Sequence, residues 1–171
     1  PFSLADLKNK FIHMTNHSIQ EEHSDFGKFE EDNEIFFPQF EEFLRDSTDF
    51  SLHGDILPQI KESVKATFTE AKPILESIDE IDDYFSFMFF GFDFAVDTAG
   101  KVWLLEVNAT PAIAKSLLPK ISRDIIRTAI DPMFPRKSED GKDGDSEFEM
   151  IFESEGRCDF VANMPAPDAQ E

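Results

Sequence analysis

Residues 84 to 111, YFSFMFFGFDFAVDTAGKVWLLEVNATP, decide how the rest of the chain is read. Tyr84 to Asp97 and Val102 to Val107 are dense in aromatic and β-branched side chains, the composition of strands that bury a face. Between them Thr98-Ala99-Gly100-Lys101 supplies a turn, and Gly100 can take the positive φ that tight hairpin turns often need. The stretch predicts an antiparallel hairpin. Three polar residues interrupt it: Asp93, Glu106 and Asn108.

Side chains alternate between the two faces of a strand, so Glu106 and Asn108, two apart, share one. Pairing Asp97 with Val102 around a four-residue loop places Asp93 directly opposite Glu106, with Cβ atoms about 4.5 to 5.5 Å apart. Two carboxylates so placed repel each other, and a buried unpaired carboxylate is costly, so a positive charge is expected between them. A hard divalent cation held by one or two carboxylates and an amide oxygen, completed by water and phosphate, suits magnesium better than zinc. A register slipped by one residue would put Asp93 opposite Leu105 and remove the site. The same residues also fit a plain solvent-facing stripe on a half-buried hairpin. Against that, a regular strand puts Phe85, Phe87 and Phe89 on the face of Asp93 and Leu104 on that of Glu106, and a carboxylate in such company tends to be functional or compensated.

Phe90-Gly91-Phe92-Asp93-Phe94, followed by Trp103-Leu104-Leu105-Glu106-Val107-Asn108 and Pro111, resembles the metal-binding hairpin of the tubulin tyrosine ligase family, part of the wider ATP-grasp group of ligases. His13-Met14-Thr15-Asn16-His17-Ser18-Ile19 is similar to that family's H-L-T-N motif. Gly27-Lys28-Phe29-Glu30-Glu31 through Asn33-Glu34, Phe36-Phe37 and Phe40 resembles tyrosine ligase itself more than the polyglutamylase or glycylase branches. The resemblance implies an α/β (α+β) fold, the C-terminal half of an ATP-grasp ligase, with an antiparallel hairpin and short strands packed by about three helices.

It also implies roles for residues. Asp93, Glu106 and Asn108 would hold magnesium. Thr15 and Asn16 would lie beside the terminal phosphate of ATP and orient the phosphoryl and carboxylate groups, and Leu105 would line the adenine pocket. Read without the resemblance, Thr15-Asn16 after a strand is good turn chemistry, and Leu105 is a core leucine. The implied reaction uses ATP to activate a protein's C-terminal carboxylate as an acyl phosphate, which the amine of an amino acid then attacks. The implied acceptor is α-tubulin and the amino acid tyrosine. The alternatives are glutamate or glycine added to side chains, and a non-catalytic or truncated ligase-like binding module. The family's upstream lysines, nucleotide lid and amino-terminal tubulin-facing domain find no likeness in residues 1 to 171, so this chain alone is expected to show little or no ligase activity.

At 171 residues and 19.6 kDa the chain has the length of one domain, and 40% hydrophobic residues with 20 Phe can fill a core. A net charge of -20 and a pI near 4.4 exclude nucleic acid and anionic membranes as partners, since both need clustered Lys and Arg. The same charge would repel the acidic tail of tubulin, so a basic docking surface is expected outside this chain or in local patches such as Lys115, Lys120, Arg123 and Arg127. One cysteine, Cys158, permits no internal disulfide and fits a reducing compartment. With no signal peptide and no run of about 20 apolar residues, a cytoplasmic and, by resemblance, cytoskeleton-associated protein is expected.

In chain order, Phe11 to Met14 reads as a short strand ending at Thr15 and Asn16. His13, His17 and His23 lack a partnering cysteine, and the spacing from 13 to 17 serves a helix rather than a strand and loop, so they read as structural. Residues 20 to 34 form an exposed loop. From Glu34 to Asp46, Phe36, Phe37, Phe40, Phe43 and Leu44 recur at helical spacing, starting near Ile35 so that Pro38 falls in the first turn. Asp55 to Ile78 predicts a second helix with Ile56, Ile60, Val64, Phe68, Ala71 and Leu75 buried, and Pro73 predicts a kink or break. A third helix is expected over Ala112 to Asp131, stopped by Pro132. Residues 1–135 then form the ligase subdomain and 136–147 a disordered acidic insert. Residues 148–171 read as a short strand, Phe148 to Phe152, and a flexible tail.

Overall fold

The computed structural model describes residues 4–28, 34–76, 87–134, 148–154 and 160–165. They belong to two compact units, Pro1–Thr48 and Asp49–Glu171.

The first unit opens with two short helical turns, α1 (Lys10–His13) and α2 (His17–Gln20). The strand expected at Phe11 to Met14 is therefore helical over most of its length. The side chain of Asn9 accepts a hydrogen bond from the Phe11 N–H and caps α1, a local interaction that outweighs the strand preference of Phe11 and Ile12. Turns continue to Lys28, as expected of the polar segment, and residues 29–33 lie outside the described part. Helix α3 (Phe37–Ser47) starts two residues later than Ile35, still with Pro38 in its first turn. Gln39 Oε1 accepts from the Phe36 N–H at 2.7 Å and satisfies one of the unpaired donors at the helix start. Leu44 is buried, whereas Phe43 is exposed and stacks on Phe40 with 6.4 Å between ring centres.

In the second unit a π-helical turn, Leu52–Ile56, leads into α4 (Leu57–Glu76). Ile56, Val64 and Phe68 of the expected stripe are buried, with Ile60 partly so. Pro73 does not break α4. It stands three residues from the helix end, so its missing N–H costs the last turn rather than the body of the helix.

Strands β1 (Gly91–Val96) and β2 (Val102–Asn108) form the antiparallel hairpin. The first is shorter than expected: Phe87 to Phe90 have no regular structure, and Tyr84 to Ser86 lie outside the described residues. Gly100 has φ 75°, and a Cβ there would lie 2.9 Å from the Phe50 ring, so both conformation and space require glycine at the turn. Phe92 and Phe94 stack at 6.2 Å and, with Phe90, pack on Val64 and Phe68. Burying such a side chain is worth about 1.5–3 kcal/mol, enough to decide which face of the hairpin meets α4. The carboxylates are on the other face.

Helix α5 (Leu118–Ile125) continues as a π-helical turn over Ile126–Ile130 and ends before Pro132. Its start is six residues later than the expected Ala112. Pro119 explains the difference, because a proline is best tolerated in the first turn of a helix, where its missing N–H has no partner to lose. The buried residue of α5 is Asp124, while Leu118 and Ile126 are exposed.

Strands β3 (Phe148–Ser154) and β4 (Phe160–Pro165) form a second antiparallel hairpin. The returning strand is as expected, but the tail is not wholly free: residues 160–165 pair with it. A strand at this position needs a partner for its backbone groups, and Phe160–Pro165 supplies one. Lys61 Nζ donates to both Glu149 carboxylate oxygens at 2.7 Å, and Ile151 packs on Val64 and Phe68, so β3 is tied to α4. The insert at 136–147 lies outside the described residues. Among the described residues no helix is long and apolar enough to cross a membrane.

Candidate functional site

Beside the turn, Val96 pairs with Val102, Ala95 with Trp103 and Phe94 with Leu104; farther along, Asp93 pairs with Glu106, Phe92 with Val107 and Gly91 with Asn108. The ladder shifts by one residue between these two sets, and Leu105 is the extra residue of a β-bulge. The expected pairing of Asp97 with Val102 is thus wrong by one, yet Asp93 still meets Glu106 because the bulge restores the register. The bulge also places Leu104 opposite Phe94 rather than on the face of Glu106. Phe87 and Phe89 precede the strand, so the regular alternation expected to put them beside Asp93 does not extend to them.

Asp93, Glu106 and Asn108 come together. Asn108 Nδ2 donates to Asp93 Oδ2 and to Glu106 Oε1, each at 3.2 Å. Asp93 and Glu106 are exposed as residues and Asn108 is half-buried. The Asp93 carboxyl is nonetheless held above the usual aspartate range, first by its partial shielding from water and then by the hydrogen bond and negative charge of Glu106, with the Asn108 N–H acting in the opposite direction.

Toward the turn, Asp97 organises the end of the hairpin. Its Oδ2 accepts from Trp103 Nε1 at 2.9 Å, and its Oδ1 accepts from the backbone N–H groups of Ala99 and Lys101 at 2.9 and 3.0 Å. The Trp103 bond and then the Lys101 N–H lower its carboxyl below the usual range. Gln59 of α4, which sequence patterning does not single out, joins helix to hairpin. Its Nε2 donates to the carbonyls of Asp55 and Gly100 at 2.8 and 2.9 Å, and its Oε1 accepts from the Val102 N–H at 3.1 Å. Its position in the first turn of α4 becomes meaningful only once the hairpin is known to lie there.

Among the described residues no group of three or more His, Cys, Asp or Glu side chains is arranged to hold a metal ion. The hairpin offers two carboxylates and one amide. That hard-oxygen set suits magnesium, which keeps several waters and binds through one or two carboxylates plus phosphate, and not a structural zinc, which needs four nitrogen or sulfur ligands. The raised Asp93 carboxyl reflects shielding from water first and the neighbouring Glu106 carboxylate second, and a divalent cation would relieve the second.

Thr15 and Asn16 lie between α1 and α2 in the first unit, and both are exposed. The Asn16 carbonyl accepts from the Ile19 and Gln20 N–H groups at 2.9 and 3.0 Å, and its side chain makes no capping bond. Leu105 is 65% exposed, which rules out the core-leucine reading. The histidines have local contacts: His13 Nε2 with the Asp6 carbonyl at 2.8 Å, His17 edge-on to Phe26, and His23 edge-on to Phe11.

Comparison with known proteins follows the same residues. The tubulin-tyrosine ligase family matches residues 1–141. The chain is 23% identical over 165 residues to tubulin glycylase 3B of Tetrahymena thermophila, covering 90% of this chain and 13% of that protein. It is 29% identical over 147 residues to tubulin glycylase 3D of the same organism, covering 80% and 14%. To the probable tubulin polyglutamylase TTLL9 of Bos taurus it is 28% identical over 121 residues, covering 67% and 24%. The chain therefore spans at most 24% of the length of these three relatives. Their names speak of glycine and glutamate, so the likeness of the Gly27 to Phe40 stretch to tyrosine ligase itself gains no support from them. Because the match takes in the Thr15-Asn16 turn as well as the hairpin bearing Asp93, Glu106 and Asn108, the chain belongs to the tubulin-tyrosine ligase family.

Proposed function

We propose that this chain carries the metal and phosphate end of an ATP-dependent ligase that joins an amino acid to tubulin. The observation that supports it most is the meeting of Asp93, Glu106 and Asn108 on the hairpin face turned away from α4. In this reading Asp93 and Glu106 would hold magnesium, with Asn108 joining through its amide oxygen once its Nδ2 lets go of the two carboxylates. When bound, the ion neutralises triphosphate charge as the γ-phosphoryl group moves. Asp93 and Glu106 supply the anionic oxygens, and the Asn108 amide fixes the two carboxylates relative to each other. Thr15 and Asn16, neutral donors on an exposed turn, orient the phosphoryl and acceptor carboxylate groups. Leu105 offers an exposed apolar surface next to Glu106 for the adenine.

The acceptor carboxylate takes the γ-phosphoryl of ATP to form an acyl phosphate, the amine of the amino acid attacks the acyl carbon, and phosphate leaves. The acceptor is α-tubulin and the location cytoskeletal. Tyrosine is the amino acid suggested by the Gly27 to Phe40 stretch, and the relatives' names favour glycine or glutamate as a second reading.

The test uses the full-length protein containing this chain, with labelled tyrosine, glycine and glutamate offered in turn to tubulin with ATP and magnesium. Asp93→Asn and Glu106→Gln should each lower ligation by about 100-fold or more while leaving the far-ultraviolet circular dichroism unchanged. Ligation at the wild-type rate in both variants would overturn the assignment.

A further inference from the structure

We infer that Gly91 and Pro111 form the positioning pair for Asn108, an inference that rests on the reading of the hairpin as a cation site. Among the described glycines, positive φ belongs to Gly27 and Gly100. Gly91 therefore has a backbone that any residue could adopt, and conformation does not call for glycine there. Space does. A Cβ on Gly91 would lie 2.5 Å from Pro111 Cβ, 3.4 Å from its Cγ and 3.7 Å from its Cα. Carbon atoms in favourable contact are about 3.5–4.0 Å apart, so the first of these approaches is a clash.

Gly91 is also the ladder partner of Asn108, in the last pair of the hairpin. The chain leaves β2 at Asn108, bends at Ala109 and Thr110, and returns Pro111 to the bare α-carbon of the residue opposite Asn108. A strand end with no further pair beyond it frays. Here the proline ring, with φ fixed at about -65°, takes the place of the next pair. Asn108 is held half-buried at that closed end, and its Nδ2 reaches both Asp93 and Glu106 at 3.2 Å. Gly91 makes room for Pro111, Pro111 holds the strand end, and the strand end aims the amide. Neither Gly91 nor Pro111 carries a group that could touch a cation through its side chain, so both act through Asn108.

A double-mutant cycle in the full-length protein tests this with two readouts, Mn2+ affinity and the nuclear magnetic resonance of the Asn108 side-chain amide. Gly91→Ala should weaken Mn2+ binding by about 10-fold or more, the usual scale for residues that orient a metal ligand. In a Pro111→Gly background, where the ring is gone, Gly91→Ala should have almost no further effect, because the two residues in contact are not additive. Pro111→Gly alone, which creates no clash, should weaken Mn2+ binding severalfold with the unfolding midpoint largely kept. In the metal-free protein the Asn108 amide resonance should shift in either single variant. An equal cost of Gly91→Ala in both backgrounds would overturn the inference, as would a Pro111→Gly variant with wild-type affinity and an unmoved Asn108 resonance. The amide resonance separates this outcome from failure of the cation reading itself: if Asp93→Asn leaves Mn2+ binding unchanged, the cation site is refuted, while a shifted Asn108 resonance in Gly91→Ala still reports the positioning.

Discussion

Asp93 lies opposite Glu106 because β2 carries one more residue than β1 between the turn and the carboxylates. The turn pairs Val96 with Val102, and that register, continued without a break, would put Asp93 opposite Leu105. The bulge at Leu105 corrects it and leaves an exposed leucine beside the carboxylate pair.

A substitution and a deletion at Leu105 separate its contributions. Leu105→Ala should change stability by no more than about 0.5 kcal/mol, since the side chain is 65% exposed. If the side chain meets the adenine, losing it costs about 1.5 kcal/mol of binding, roughly tenfold in ATP affinity. Deleting Leu105 removes the bulge and still leaves Asp93 facing Glu106, so Mn2+ binding should survive. ATP binding by calorimetry and Mn2+ binding by titration check the pair of outcomes; unchanged ATP affinity in Leu105→Ala would remove Leu105 from the nucleotide site.

The raised Asp93 carboxyl fixes the sign of a pH effect. In the metal-free protein the folded state holds a proton there more tightly than the unfolded chain, so the contribution is fully present below the ordinary aspartate value of 3.8 and is lost as pH rises through the higher folded value. Asp25 and Asp97, both lowered, contribute in the opposite direction: their stabilisation is present above that value and lost as pH falls through their folded values. The informative quantity is therefore the difference between wild type and Asp93→Asn in unfolding midpoint across the acid range. Relative to Asp93→Asn, the wild type should lose stability as pH rises, and added Mg2+ should restore more of it at neutral than at acid pH. A difference that does not vary with pH would contradict the assignment.

Gln59 should matter to stability although it is remote from the carboxylates in sequence. Gln59→Ala leaves the N–H of Val102, a residue 8% exposed, without its side-chain acceptor and removes a donor to the Gly100 carbonyl. A cost of about 1–3 kcal/mol in urea unfolding is expected. A change near zero would show that the backbone of the turn finds water instead.

The hairpin and the meeting of its carboxylates were legible because period-two alternation and a glycine turn are local signals. The bulge was not, since an extra residue in a strand leaves no mark in composition, and the turn register that the sequence suggests is one residue off. Phe11 to Met14 looked like a strand, but one side-chain cap from Asn9 suffices to set a single helical turn. The late start of α5 was readable from Pro119, whose effect at a first turn is the same as that of Pro38 in α3. The pairing of residues 160–165 with β3 depends on chain closure across a polar segment, which strand propensity alone does not reveal.

Mn2+ binding to the full-length protein, followed by electron paramagnetic resonance and competed with Mg2+, tests the cation site most directly. One Mg2+-competed Mn2+ site is expected, weakened by about 10-fold or more in each of Asp93→Asn, Glu106→Gln and Asn108→Ala. Mn2+ binding that all three substitutions leave at the wild-type affinity would contradict it.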